Sequence, residues 1–346
     1  MGEVTRTNRK LKRVDSPIFI VGANRSGTTL LRLILNAHSR ITIPEELNYF
    51  YSEMAGWPVE EWQSHTIDVG FIDYLLDKSC GPLQELGLDV DRLRRELHAN
   101  APLSLRTPYV AILEAWAALQ GKPRWGEKTP ANLFFADVLI EMFPDALFLH
   151  LVRDPRDGVA SMQKVDFFSN DAVFNALARR QAMTKGVDIL EKNVPPEQRL
   201  TLRYEDLVTD PEPAIRAVCD FIGEAYEPGM HHFHETSQRY MKERAATEFN
   251  VKATRPITDE TVESWRKRLS MKQVAIVESI CRDQIKQFGY PKSDATISWR
   301  QMVEVEVKRL YWILKCWQNR RNRNYIVRAP MFARTLERMR RLMGIS

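Results

Sequence analysis

The stretch VGANRSGTTLLRL at residues 21–33 follows PIFI, with which its first residue, Val21, completes a short apolar run. An apolar run bounded by Pro and Gly is typical of a buried strand, here predicted over residues 17–22. Apolar side chains then recur at helical spacing over residues 27–38: Leu30, Leu33, Ile34 and Ala37. The sequence therefore predicts a strand, a glycine-bounded loop and a helix in succession.

The loop reads GANRSGTT over residues 22–29 and lacks the lysine that precedes the final Ser or Thr of a triphosphate-binding loop. A glycine-bounded turn at a strand end directs backbone N–H groups and the next helix N-terminus at one point, which suits an oxyanion. Further donors stand in the loop: Arg25, Ser26, Thr28 and Thr29. Without the lysine, the loop suits a less charged anion that needs no metal. The alternative is that the two glycines only form a turn.

A second candidate segment is LHLVRDPRDGVASM, residues 149–162. It places Arg153 at the carboxyl end of a predicted strand and Ser161 inside the following predicted helix. Ligands of open α/β sheets lie at such strand ends, and arginine binds phosphate through two parallel hydrogen bonds. Arg153 is therefore a candidate for a second phosphate. The alternative is an ion pair between Arg153 and Asp154 or Asp157.

Predicted strands alternate with predicted helices along the chain. Two more strands are predicted over residues 146–152 and 199–207, next to helical patterns at 134–143 and near 211–222. This alternation favours a parallel sheet with crossover helices. Residues 47–120 are rich in Leu, Ala, Trp and Glu and show no clear strand. We therefore predict an α/β fold: a P-loop-like parallel sheet flanked by helices, with a helical insertion at 47–120 and a helical C-terminal tail.

We expect one domain over residues 16–295, whose insertion shapes the acceptor side of the pocket, and a tail over 296–346. The tail is basic, because residues 300–346 carry 12 Lys/Arg and 3 Asp/Glu while the rest of the chain carries 38 and 42. A nucleic-acid-binding domain needs its basic surface on the folded body. Nucleic acid is therefore not a predicted partner.

The tail contains two amphipathic patterns. In the first, apolar residues recur at three- and four-residue spacing: Val303, Val307, Leu310, Leu314 and Trp317. After Pro330, apolar residues alternate with arginines: Phe332, Leu336, Met339 and Met343 with Arg334, Arg338, Arg340 and Arg341. Basic amphipathic helices bind anionic membranes, but such helices also pack on proteins. We predict membrane contact or self-association through 300–346, with packing favoured for 300–318.

Composition and cysteine usage indicate the cellular compartment of the protein. The chain of 346 residues is 44% hydrophobic and can bury a sizeable core. Its four cysteines stand far apart without a C-x-x-C pair, so neither a zinc cluster nor a disulfide framework is indicated. The basic N-terminus has no secretory apolar region, and no apolar run is long enough to span a membrane. We predict a cytoplasmic protein, with peripheral membrane contact as an extension of that prediction.

Five ordered motifs resemble those of sulfotransferases that use 3′-phosphoadenosine-5′-phosphosulfate (PAPS). They are GANRSGTTLLRLILNAH from residue 22, GEKTP at 126–130, FLHLVRDPRDGVASM from residue 148, LRYEDL at 202–207 and an RP…W segment at 255–265. The resemblance covers about residues 16–290 and extends to the bacterial branch and to the protein-tyrosine sulfotransferases. It implies PAPS as co-substrate, adenosine 3′,5′-bisphosphate (PAP) as product, and no metal.

The resemblance also implies roles for individual residues. The 5′-phosphosulfate would be bound by Arg25, Ser26, Gly27, Thr28 and Thr29. Contacts to the 3′-phosphate and the rest of the nucleotide would come from Arg153, Ser161, Tyr204 and Arg255, the last at the place of a Lys-Pro pair in the tyrosine enzymes. Those enzymes have an arginine four residues after the helix serine, where this chain has Val165 with Lys164 beside it. Compensation by Lys164 stays open.

Sulfuryl transfer to a hydroxyl needs a base and fixed cations at the departing oxygen. Arg25 and Lys128 are the candidate cations, and the segment IPEELNYF offers Glu45 and Glu46 as bases. The resemblance favours Glu46, because the tyrosine enzymes carry their catalytic glutamate at the same spacing after the loop arginine. If a helix begins at Glu45, only one of the two carboxylates can face the sulfuryl group. The alternative is that both glutamates are solvent-facing residues at a helix start.

The predicted function is therefore sulfuryl transfer from PAPS to an acceptor hydroxyl (EC 2.8.2 type). A P-loop small-molecule kinase is the first alternative, disfavoured by the missing lysine and by the lack of a clear metal-binding aspartate. A non-catalytic nucleotide-binding protein is the second, disfavoured because nucleotide binding alone needs no base.

The acceptor itself is left open as a sugar, lipid, small metabolite or peptide. Aromatic residues of the insertion either line its pocket or belong to the core: Trp57, Trp62, Phe71, Tyr74 and Trp116. The cluster His231, His232 and His234 is not predicted to hold a metal.

Overall fold

A computed structural model describes residues 16–51, 66–79, 83–166, 168–235 and 255–318. Its strands are β1 Ile18–Gly22, β2 Ile41–Thr42, β3 Thr66–Ile67, β4 Leu103–Ser104, β5 Arg124–Lys128, β6 Leu147–Val152 and β7 Arg199–Arg203. Five of them form a parallel sheet in the order β2-β5-β1-β6-β7. Because all five run in one direction, their carboxyl ends share one edge.

Helices cover this sheet and fill the remaining described segments. They are α1 Thr28–Asn36, α2 Val69–Tyr74, α3 Val90–Ala99, α4 Arg106–Gln120, α5 Ala136–Met142, α6 Pro155–Met162, α7 Ala172–Gln181, α8 Val187–Asn193, α9 Tyr204–Thr209, α10 Pro211–Ile222, α11 Trp265–Arg268, α12 Met271–Ile280, α13 Arg282–Gln287 and α14 Trp299–Gln318. The α/β fold with a parallel sheet flanked by helices is confirmed. The domain boundaries at 16–295 and 296–346 stay a prediction.

The central strands are buried on both faces, which is why they read as continuous apolar runs. All residues of β1 are buried, and alternate side chains enter different clusters: Phe19 packs with Phe148 and Phe143, whereas Ile18 and Ile20 pack with α1 and α10. The sheet is thus held rigidly from both sides, and its carboxyl edge is a fixed platform for the loops that follow.

The strands differ from the sequence prediction at three places, the first being β2, a two-residue strand of the sheet that was not predicted. Strand β5 was not predicted, because its sequence RWGEK has no β-branched residue, yet it pairs with β1 so that Lys128 lies opposite Ile20. Within the insertion, β3 and β4 form a short antiparallel pair where no strand was expected. The insertion is otherwise helical in its described part, as predicted.

Helix α14 packs on the domain through one face and exposes the other. Val305 and Trp312 are buried against a cluster that includes Phe174, and the Trp312 indole donates to Gln181 at 3.1 Å. The opposite face carries residues that are each at least 50% exposed: Val303, Val307, Leu310, Ile313 and Leu314. The predicted packing is confirmed for the helix, but the apolar repeat read from the sequence is its outward face. Residues after 330 lie outside the described part.

None of the helices in the described ranges is both long and apolar enough to cross a bilayer.

Candidate active site

The glycine loop, defined as residues 22–27, joins β1 to α1 at the carboxyl edge of the sheet. Arg25 and Gly27 have φ angles of 68° and 97°, which turn the chain sharply into the helix. A Cβ atom on Gly27 would lie 2.3 Å from the ring of Tyr204, so glycine is required there for packing as well as for conformation. No side chain caps α1. Its first N–H groups therefore have no capping side chain to accept from them, as an anion-binding helix start requires.

Arg153 lies directly after β6, beside the glycine loop. Its guanidinium stacks on the ring of Tyr204 at 4.2 Å and donates to the carbonyl oxygens of Thr261 at 2.9 Å and Arg25 at 3.4 Å. Its Nε is buried without a hydrogen-bond partner. Arg153 therefore keeps a donor available, which suits the predicted contact with an anion.

The ion-pair alternative for Arg153 is wrong. Asp154 pairs instead with the guanidinium of Arg156 at 2.6 Å. Asp157 accepts hydrogen bonds from the Ser264 hydroxyl and the Trp265 backbone N–H, both at 2.8 Å. Both aspartates thus hold neighbouring segments together.

Arg25 connects the glycine loop to α6. Its Nε donates to the hydroxyl of Ser161 at 3.1 Å, across 136 residues of sequence. Burial lowers the pKa of the Arg25 guanidinium, and the nearby charge of Arg153 acts in the same direction. Two cations and one hydroxyl, all predicted from sequence to bind anions, therefore meet at one point.

Lys128 and Glu46 form a second group at this edge. The Lys128 ammonium, buried at the end of β5, donates to the Glu46 carboxylate and to the hydroxyl of Thr29 at 3.4 Å. Glu46 itself is 41% exposed. The predicted base, the predicted cation and the helix start are thus brought together, with the carboxylate reaching solvent.

No helix begins at Glu45, so the helical geometry that would let only one of the two carboxylates face the sulfuryl group is not present. The chain is irregular after β2, and its first helical turn spans Tyr49–Tyr51. Pro44 and the left-handed Asn48, with φ at 53°, both oppose helix over this segment. The choice of Glu46 therefore rests on its contact with Lys128 and not on helical geometry.

The remaining predicted nucleotide contacts divide into two groups. Tyr204 begins α9 and its hydroxyl shares a hydrogen bond of 2.6 Å with Thr261. Arg255 is exposed, and no contact among the described residues ties it to the glycine loop. Its role stays a prediction, and Thr261 is the residue of the RP…W segment that reaches Arg153 and Tyr204.

Arg179 is a residue of the site that was not predicted from the sequence. This residue of α7 is 2% exposed, and its guanidinium donates to the carbonyl oxygens of Asn24 at 2.6 Å and Arg153 at 3.2 Å. Val165 is buried in a small apolar cluster, and Lys164 is exposed. No pattern in the α7 sequence AVFNALARRQ distinguishes Arg179 from the neighbouring Arg180.

The aromatic residues of the insertion are partly core. Phe71 and Trp116 pack against the main apolar cluster, and the Trp116 indole donates to Thr42 at 2.9 Å. Trp57 and Trp62 lie outside the described residues. His232, His234 and Glu235 each place one ligand atom within 4.8 Å of the others. The absence of a metal from the predicted chemistry stays a prediction.

A family model described as "Sulfotransferase family" matches residues 17–228. The chain belongs to the sulfotransferase family.

Sequence and fold comparisons place it among known members. A protein-tyrosine sulfotransferase of Drosophila melanogaster is 27% identical over 226 residues, which cover 63% of this chain and 40% of that one. An omega-hydroxy-beta-dihydromenaquinone-9 sulfotransferase of Mycobacterium bovis is 26% identical over 326 residues, covering 80% and 76%. The sulfotransferase domain of the Synechococcus PCC 7002 olefin synthase aligns with a TM-score of 0.56 at 20% identity, over 81% of this chain and 97% of that domain. The last likeness shows the shared fold.

Within this sulfotransferase fold, β5 carries a buried carboxyl next to Lys128. Glu127 accepts hydrogen bonds from the Thr129 hydroxyl and, at 2.5 Å, from the Asn132 amide. Burial raises the pKa of Glu127 to about 7, although these hydrogen bonds and the charge of Lys128 oppose the shift. Burial also lowers the pKa of Lys128, against the effect of Glu46. The protonation state of Glu127 therefore changes near neutral pH.

We expect Glu127 to make stability fall as pH rises. Its folded-state pKa of about 7 lies above the ordinary value of 4.5, so the folded chain binds the proton more tightly. That contribution is complete below the ordinary value and is lost as pH rises through 7. Between pH 6 and 8, the free energy of unfolding of the wild type should fall by about 1 kcal/mol more than that of Glu127→Gln. Urea unfolding at several pH values measures this, and equal slopes for the two proteins would contradict it.

Proposed function

We propose that this protein transfers the sulfuryl group of PAPS to an acceptor hydroxyl. The observation that carries the proposal is the meeting of Arg25, Arg153 and Ser161 at one strand edge, next to the Lys128–Glu46 pair. The unpartnered Nε of Arg153 and the uncapped start of α1 fit a ligand with two separate anionic groups. PAPS is such a ligand, with a 5′-phosphosulfate and a 3′-phosphate.

In this proposal each group has one task. The glycine loop and its helix start hold the 5′-phosphosulfate, and Arg153 with Ser161 holds the 3′-phosphate. Glu46 accepts the proton of the acceptor hydroxyl as its oxygen attacks sulfur in line. The bond from sulfur to the phosphate oxygen breaks, and Lys128 and Arg25 stabilise the charge left on that oxygen of PAP.

Two other functions are less well supported. A kinase of the P-loop type needs a lysine in the loop and a hydroxyl bound to magnesium, whereas Lys128 approaches Thr29 from β5. A binding protein without activity needs no base, and Glu46 is held against Lys128 while still reaching solvent. Both remain outcomes of the same experiment.

Thermal unfolding with added nucleotides tests the donor. We expect PAP and PAPS to raise the melting temperature without magnesium, since a ligand at about 100 times its Kd stabilises the native state by about 2.7 kcal/mol. Stabilisation by ATP with magnesium alone would instead support a kinase. Mass spectrometry of cell extracts after incubation with PAPS, searching for sulfated products, then identifies the acceptor.

The acceptor is proposed to be a hydroxyl compound of the sugar, lipid, small-metabolite or peptide class. The relatives named above act on protein tyrosine and on a hydroxylated menaquinone. Both acceptors present a hydroxyl to the donor, which matches the solvent-reaching carboxylate of Glu46.

We further propose that the protein, in the cytoplasm, contacts an anionic membrane through its C-terminal region. The outward face of α14 is apolar, and residues 319–346 add eight arginines and one glutamate. Apolar and basic residues in one region complement anionic lipid, with about 1 kcal/mol per Lys/Arg near the surface. A second copy of the chain is the other candidate for this face.

Vesicle co-sedimentation tests the membrane proposal. Wild type should bind anionic vesicles weakly and release them in high salt, because the attraction is electrostatic. Deletion of residues 331–346 removes four arginines, and Val307→Ser with Leu310→Ser removes apolar surface; each should weaken binding about tenfold or more. Leu119→Ser, at an exposed position of α4 that is 53% accessible against 61% for Val307 and 64% for Leu310, is the control. Unchanged binding by both variants, or a dimer lost in the double variant, would contradict the proposal.

A further inference from the structure

Arg179 contacts both anion-binding segments. It is in the last turn of α7, and its guanidinium reaches the backbone of the glycine loop at Asn24 and the backbone of Arg153 after β6. Gly158 of α6 makes room for it, because a Cβ atom at Gly158 would come within 2.1 Å of the Arg179 Cζ. The side chain is therefore held in a defined position by close packing.

The hydrogen bonds of Arg179 connect two segments that are far apart in sequence. One nitrogen donates to the Asn24 carbonyl at 2.6 Å. The other donates to the Arg153 carbonyl at 3.2 Å and to the Ser26 hydroxyl at 3.4 Å. A planar guanidinium can satisfy such a divided arrangement, whereas the single ammonium of lysine cannot span it.

The charge of Arg179 has no carboxylate partner among the described residues. No described Asp or Glu lies within ion-pair distance, and Nε is buried without a hydrogen-bond partner. Carbonyl oxygens offset only part of the cost of burying a cation. An anion bound in front of the two segments would supply the missing negative charge.

We propose that Arg179 is a positioning residue that holds the 5′- and 3′-phosphate sites of the donor in one fixed arrangement. This inference rests on the proposed function. Arg153 carries one site and Asn24 and Ser26 belong to the other, so a single guanidinium holds the backbone of each site in place as well as their separation. Loss of Arg179 should weaken ligands of either site, whereas loss of Arg153 should affect the 3′-site alone.

Ligands that occupy one site at a time distinguish these roles. We expect Arg179→Met to weaken PAP, 5′-AMP and 3′-AMP each about tenfold, measured by calorimetry or competition. Turnover at saturating PAPS should stay within about threefold of wild type, because Arg179 does not touch the reacting atoms. Arg179→Lys should recover part of the affinity, since it keeps the charge and one hydrogen bond.

Two further variants distinguish the loss of the Arg179 contacts from a folding defect. Gly158→Ala leaves Arg179 intact but displaces its guanidinium, so it should give the same pattern of losses. Arg180→Met, the next residue of α7 and partly exposed, is the matched control and should bind like wild type.

The outcomes separate the two levels of inference. Losses confined to one of the two mononucleotides, or wild-type affinity in both Arg179→Met and Gly158→Ala, would overturn the positioning role while leaving the donor assignment intact. Failure of the wild-type protein to bind PAP would overturn the proposed function and the positioning role together.

Discussion

Glu46→Gln should retain donor affinity and lose about 10²–10⁴-fold in turnover, the usual contribution of a general base. The carboxylate accepts a hydrogen bond from the buried Lys128 ammonium and still reaches solvent, so an acceptor hydroxyl can approach it. Glutamine keeps the size of the side chain and an acceptor oxygen for Lys128. It cannot take the proton.

Glu45→Gln is the matched control, since Glu45 is also exposed and precedes Glu46 in the same irregular segment. We expect this variant to lose much less activity. PAP affinity and single-turnover rates for both variants separate binding from chemistry. A dead Glu45→Gln enzyme would move the base by one residue, and two active variants would assign the proton to another group.

Lys128 strengthens the argument for Glu46. The ammonium is 3% exposed and touches both Glu46 and the hydroxyl of Thr29 at the start of α1. A cation in this position links the base to the loop proposed to hold the departing oxygen. Loss of the Glu46 charge leaves Lys128 buried without that partner, so a pH–rate profile of Glu46→Gln should also shift.

Most of the sheet could be predicted from the sequence because buried parallel strands consist of continuous apolar residues. Residues 17–22, 146–152 and 199–207 each contain a strand of the structure. Strand β5 has no such run, since its polar side chains are satisfied by specific partners such as Ser16, Glu224 and Glu46. Those partners come from distant parts of the chain and leave no local pattern.

The predicted site came together for a related reason. Strand ends and helix starts fix where backbone groups lie, so the glycine loop and Arg153 could both be assigned to the carboxyl edge of the sheet. Their direct contact, from the Arg153 guanidinium to the Arg25 carbonyl, was not predicted. Arg179 could not be placed in this way, because its contact with Asn24 depends on how α7 packs against the loop and on the space left by Gly158. Arginines in a helix pattern carry no signal of that packing.

Helix α14 shows a limit of periodicity. Both of its faces carry apolar residues, and the repeat of Val303, Val307 and Leu310 is the more regular of the two. The buried residues are instead Val305 and Trp312, because Trp312 stacks on Phe174 and donates a hydrogen bond from its indole to Gln181. A periodic stripe therefore predicts a helix more securely than it predicts which face is buried.

Arg153→Ala should weaken PAP by roughly one to two decades and leave 5′-AMP nearly unchanged. The guanidinium is fixed by Tyr204 and by the Thr261 carbonyl, yet its Nε is buried and unpaired. A hydrogen bond from this group to a phosphate is worth about 1.5–3 kcal/mol, which sets the expected loss.

The ratio of the two affinities decides the assignment. If Arg153 only supported the fold, PAP and 5′-AMP would weaken together, because both occupy the glycine loop. Arg255→Ala tests the other arginine implied by the resemblance, whose side chain is exposed and has no contact with the loop among the described residues. A PAP-selective loss in Arg153→Ala and none in Arg255→Ala would assign recognition of the 3′-phosphate, the group that distinguishes PAPS from ATP, to the strand end of β6.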